Sequence, residues 1–116
     1  MAYRLRDRLT SAIARAGADR PVAVCSDIWW LNNDAFRQRP TIAIGSPDVN
    51  ALTAYMADKL PYVFSIKGRL GVQMDLDLVD RLACCWGVDH EQTAAAVAAF
   101  EERYLDHFAA DAAKDR

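Results

Sequence analysis

The apolar positions of this chain follow two rhythms that alternate along its length. Leu5, Leu9, Ala12, Ile13 and Ala16 recur at spacings of three and four. An α-helix turns once in 3.6 residues, so this spacing predicts a helix over 2–17 with one buried stripe, arginines on its other faces and Gly17 as its stop. Pro21-Val22-Ala23-Val24-Cys25 and Thr41-Ile42-Ala43-Ile44 are short, unbroken apolar runs rich in β-branched residues. Runs of this kind predict central strands covered on both faces. The connection from Ser26 to Pro40 is rich in Asp, Asn and Trp, and a short helix is expected near Asn33–Gln38 with Asn32 or Asn33 as its cap.

Beyond Gly45, the pattern returns to helical spacing. Ser46 as cap, Pro47 in the first helical position and Asp48 at the positive dipole end predict a helix start. Val49, Leu52, Tyr55, Met56 and Leu60 form its expected buried face, and Pro61 closes it. Tyr62–Ile66 and Leu70–Met74 flank Lys67-Gly68-Arg69, which predicts a hairpin turning on glycine. A short helix capped by Asp75 or Asp77 is expected over 75–81. Leu82–Trp86 reads either as more of that helix or as a buried strand stopped by Gly87. The strand is preferred, because Gly87 and Asp89 then repeat the strand–glycine–cap–helix order of Gly45 and Ser46. Asp89 with Gln92 three residues on predicts a capped final helix. Val97, Phe100, Tyr104 and Phe108 line one side of it, and residues 111–116 are expected to fray.

Strands alternating with helices, plus one hairpin, predict an α/β fold: a mixed, mainly parallel sheet of about four to five strands with helices packed on one or both faces. The 116 residues suit one α/β domain over 1–116, and 53% hydrophobic residues suffice for a core without disulfides or metals.

Charge narrows the partners. Fourteen basic and sixteen acidic residues give a net charge of −2. That balance argues against a general affinity for nucleic acid or anionic membranes. No apolar run approaches the roughly 20 residues of a membrane span, and the first residues lack a signal-peptide pattern. Three cysteines, two of them adjacent, do not form a disulfide framework, so reduced thiols in a cytoplasmic protein are expected. Arg4, Arg6, Arg8, Arg15 and Arg20 crowd one end, and Glu101, Glu102, Asp106, Asp111 and Asp115 the other. These are either solvated helix faces or two ends that attract each other.

Candidate chemistry gathers after the two apolar runs. If these runs are parallel neighbours, the segments after them share one edge, and ligands of open α/β sheets bind outside the strand carboxyl ends. Gly45-Ser46-Pro47-Asp48-Val49-Asn50 offers backbone access, a hydroxyl and an amide at a helix start. Cys25 to Asp34 adds a thiol, carboxylates, amides and two indoles. The strand–glycine–helix arrangement resembles the ligand edge of doubly wound α/β folds, a likeness of architecture and not of activity. The candidate ligand-binding residues are Asp27, Trp29, Asn32, Gly45, Ser46 and Asn50. Each has an ordinary alternative as a cap, a turn residue or a core plug.

A catalytic thiol would need His90 or His107 as its base, with His90 placed to approach Cys25 only if several elements fall favourably. Asp75, Asp77 and Asp80 do not match a calcium loop, and no CxxC or HxxxH spacing supports zinc, so no metal or cofactor is expected. Trp29 and Trp30 should point to opposite sides, leaving one outward as an anchor for a second copy. Two functions fit. One is a non-catalytic α/β module that forms a homodimer and binds a small polar or anionic ligand at the strand carboxyl ends. The other is a small hydrolase or transferase acting on a nucleotide-like or carboxylate-bearing substrate, using Asp27 or Cys25 with Asn50 and Ser46.

Overall fold

The computed structural model describes residues 1–114. Its elements are α1 (Ala2–Arg15), α2 (Asp27–Leu31), a 3₁₀ turn (Asp34–Phe36), β1 (Thr41–Ile44), α3 (Ala51–Ala57), β2 (Tyr62–Ile66), β3 (Leu70–Met74), β4 (Leu82–Gly87), α4 (His90–Arg103) and α5 (Leu105–Ala112). The four strands form one mixed sheet in the order β1-β4-β3-β2. β1 and β4 run parallel, while the β4–β3 and β3–β2 pairs are antiparallel. The sheet is therefore not mainly parallel. The hairpin brings β3 in antiparallel beside β4, and Pro21–Cys25, needed for a second parallel pair, forms no strand.

Adjacent strand residues point to opposite faces. Cys84 and Cys85, both fully buried, consequently enter different cores. Cys85, Val72 and Met74 pack in one cluster with Leu5, Leu9 and Ile13 of α1 and with Phe100 and Phe108 of the last two helices. Cys84 and Ala43 pack in the other with Trp30 of α2 and with Leu52 and Met56 of α3. A buried amide ties the second cluster to the sheet. Gln73 Nε2 donates to the carbonyls of Ala57 and Leu60 (2.8 Å each), while its Oε1 accepts from Trp86 Nε1 (2.8 Å).

The terminal helices do meet: Arg8 pairs with Glu101 (2.6 Å) and Arg15 with Asp106 (3.6 Å). The last helix breaks at Tyr104, whose backbone leaves the helical region (φ −127°) and whose hydroxyl donates to the Val63 carbonyl (2.8 Å). The segment 75–81 is a turn rather than a helix. Asp75 accepts the N–H groups of Asp77, Val79 and Asp80, an arrangement that competes with helical bonding. At the C-terminal end α5 continues to Ala112, and Asp111 is buried against Arg81 (2.8 Å), so this part is held in place. The remainder of the expected frayed end, 115–116, lies outside the described residues.

Candidate functional site

Pro21–Ser26 lies beside β1 without joining it. At its amino end, Arg20 Nη2 donates to the Ala113 carbonyl (3.4 Å). Ala113 adjoins the Arg81–Asp111 pair, and the Arg81 carbonyl accepts the Thr41 N–H (2.9 Å) that opens β1. At the other end, Asp27 Oδ2 accepts the Ala51 N–H (2.7 Å), one residue beyond Asn50. The segment is a strap running in the same direction as β1. Between the two lies a cavity of about 620 Å³ lined by both.

The candidate residues divide. Asp27 and Asn50 come together at the carboxyl end of β1 and line the cavity. Their polar atoms also work within the chain. Asp27 Oδ1 accepts the Ile28 N–H (2.9 Å) in addition to the Ala51 bond. Asn50 Oδ1 accepts the Thr53 N–H (3.0 Å), and its Nδ2 donates to the Ile44 carbonyl (2.9 Å). Asn50, not Ser46, therefore caps α3. The Ser46 carbonyl accepts the N–H groups of Val49 and Asn50 in a turn, which delays the helix and leaves Val49 exposed. Gly45 holds φ +121°, a conformation that favours glycine, and donates its N–H to Cys85 O (2.9 Å). Trp29 belongs to α2, which Ser26 Oγ caps at its start (3.1 Å), and Asn32 stands just past its carboxyl end as the C-cap. Asn32 is exposed, and Trp29 is 59% exposed while Trp30 is 5%. The two indoles diverge, here by helical geometry.

Gly45 and Ser46 line a second, smaller cavity of about 350 Å³ at the carboxyl ends of β1 and β4, together with Gly87, Asp89, His90 and Thr93. Its nearest side-chain oxygens are engaged as acceptors. Asp89 accepts the Gln92 N–H (2.8 Å), and Thr93 Oγ1 accepts that of Gly87 (3.1 Å). His90 and Cys25 thus line different cavities. His107 is bonded to the Leu76 carbonyl (2.6 Å). No histidine lines the strap cavity among the described residues. Burial raises the thiols of Cys84, to about 12, and of Cys85, so both stay protonated and unreactive at neutral pH. The described residues contain no cluster of metal-binding side chains, and no described helix is long and apolar enough to cross a membrane.

The strap cavity has a polarity that the candidate residues did not predict. Arg20, Arg39, Arg81 and Lys114 line its amino end, and Arg6 lines it from α1. Among the described lining residues Asp27 is the only acid, at the opposite end. Arg6 and Arg81 are paired with Asp7 and Asp111. Arg39 lies over the Phe36 ring (5.7 Å). A sequence signal for this end existed. Arg20, Arg39 and Arg81 each stand at or next to the residue before an apolar run. When such runs travel in one direction, the residues before them share an edge. Against protein-family models, curated proteins and solved structures, the chain finds no match.

Proposed function

We propose that this protein is a non-catalytic binding module whose strap cavity takes a small organic anion with an apolar body. The observation that carries this reading is the cavity's two-part lining. Leu9, Ile13, Val22, Ile42, Ile44 and Phe108 supply apolar wall, and the basic residues gather at the amino end of β1. A volume of about 620 Å³ is ordinary for a small-molecule site, and apolar walls with a few placed polar groups are the usual design. The anionic head would lie toward Arg39 and Lys114. Asp27 and Asn50 close the other end, where the Asp27 carboxylate repels a second negative charge and so orients the ligand.

Alkyl carboxylates provide the test, read by calorimetry and by thermal melting. Octanoate and decanoate raise the melting temperature, and octanol does so far less. Each added methylene tightens binding about fourfold until the cavity is full, from ~0.8 kcal/mol per buried CH₂. Replacing both Arg39 and Lys114 by Ala weakens carboxylate binding and spares the alcohol. Equal responses to octanoate and octanol would refute the anion site.

Self-association is part of the same proposal. Ile28 (57% exposed) and Trp29 (59%) stand side by side on α2, an apolar pair suited to anchoring a second copy of the chain.

A further inference from the structure

The strap and β1 face each other with unused main-chain groups. Thr41 of β1 and Gly45, just beyond it, donate their N–H groups to the carbonyls of Arg81 and Cys85 on the β4 side. Pairing in a parallel ladder alternates, so Thr41, Ala43 and Gly45 turn toward β4 while Ile42 and Ile44 turn to the free edge. The Ile44 carbonyl is taken by Asn50 Nδ2. Among the described residues, the N–H groups of Ile42 and Ile44 make no hydrogen bond, and neither does the main chain of Pro21–Cys25. The strap's two ends are fastened level with the two ends of β1, at Ala113 and at Ala51. Val22, Val24 and their neighbours have strand-forming composition, and Pro21 stands first, where a strand tolerates the missing N–H.

We propose that Val22–Cys25 is a built-in fifth strand that closes onto β1 when the cavity is empty and is held away when a ligand occupies it. Paired strands lie about 4.8 Å apart, which leaves no space between them for a ligand. Strand pairing and occupancy are therefore mutually exclusive, and the chain carries a competitor for its own site. Both anchors survive in either state, so the strap moves as a bow flattening against its string. This inference regulates the site proposed above and rests on it for the ligand, but not for the pairing itself.

Hydrogen exchange by NMR, on the full chain without ligand, tests the pairing directly. Ile42 and Ile44 amides should be protected at least tenfold over free peptide rates. The double variant Ala23→Pro/Val24→Pro removes a strap donor in either register and should abolish that protection, with Cys84 and Cys85 amides still protected as a control for folding. If that variant does not fold, Val22→Gly/Val24→Gly should lower the protection instead. Octanoate should likewise expose both amides in the wild type. Binding only to the open form also links the two measurements, because apparent affinity falls by the open fraction. The proline variant should bind octanoate more tightly by the same factor as the lost protection. Free exchange at Ile42 and Ile44 in the ligand-free wild type, or protection unchanged by the strap substitutions, overturns the proposal even if octanoate binds. Protection that responds to the strap while octanoate fails to bind leaves the strand device standing and removes the ligand reading alone.

Discussion

β1 and β4 run side by side in the same direction, yet their surroundings differ. β4 has a neighbour on each edge, and Ala83, Cys84 and Cys85 are completely buried. β1 has one neighbour; its other edge looks into a cavity, and of its four residues only Ala43 is buried. A glycine closes each strand, Gly87 as the last residue of β4 and Gly45 just after β1, for a different reason. Gly87 is needed because α4 passes so close that a Cβ would stand 2.3 Å from the Gln92 carbonyl carbon and 2.4 Å from the Thr93 nitrogen. Gly45 is needed for its φ of +121°, while its nearest neighbour would be 3.4 Å from a Cβ. Stability is concentrated where packing is complete, and room for a ligand exists where it is not.

The largest effect should come from Gly87→Ala. Main-chain atoms cannot swing aside as a side chain can, so a loss of about 3 kcal/mol or more is expected in urea unfolding, with α4 displaced from the sheet. A cost near zero would show that the β4 end is as yielding as the β1 edge. Next comes alkaline pH. The fold holds the Cys84 and Cys85 thiols neutral, with folded values raised above the ordinary 9.0. An unfolded chain ionises them from about pH 9, so their contribution is complete below that pH and lost as pH rises toward 12. The slope should be about 1.4 kcal/mol per pH unit for each thiol. Urea midpoints at pH 8 and 10 measure it, and Cys84→Ala should roughly halve the thiol-dependent part. The smallest effect on stability belongs to the open side. Trp29→Ala should change unfolding by within about 0.5 kcal/mol yet shift a dimer to monomer in sedimentation velocity. A wild type that sediments as monomer at high concentration would remove the self-association.

What was legible in the sequence follows from what is locally determined. The hairpin over 62–74, the Asp89 cap and the Leu82–Trp86 strand depend on neighbours close in the chain or on a strong apolar run, and all three appear. The α1 stripe of Leu5, Leu9, Ala12 and Ile13 is buried for the same reason. Local sequence does not rank the two good caps, Ser46 and Asn50, which stand four residues apart. The choice went to Asn50, whose amide can also reach the Ile44 carbonyl. Pro21–Cys25 has the composition of a strand, but a strand exists only where a partner edge comes within bonding distance, and composition is silent on that. Asp27 and Asn50 still meet, brought together by the Ala51 N–H rather than by strand pairing. The basic end is built from Arg20, Arg39 and Arg81, which precede the apolar runs, whereas the strand–glycine–cap–helix pattern marks only the residues that follow them.

The Gln73 amide has a mechanical consequence for the cavity. It grips the last turn of α3 and the residues after it from within the sheet, through Ala57 and Leu60. Leu52, on that same helix, forms part of the cavity wall. With α3 clamped to β3, that part of the wall is fastened to the sheet, while the strap is fastened only at its two ends. Under the ligand reading proposed above, larger guests would be accommodated by outward travel of the strap rather than of α3, and the range of sizes accepted would follow the slack in its six residues.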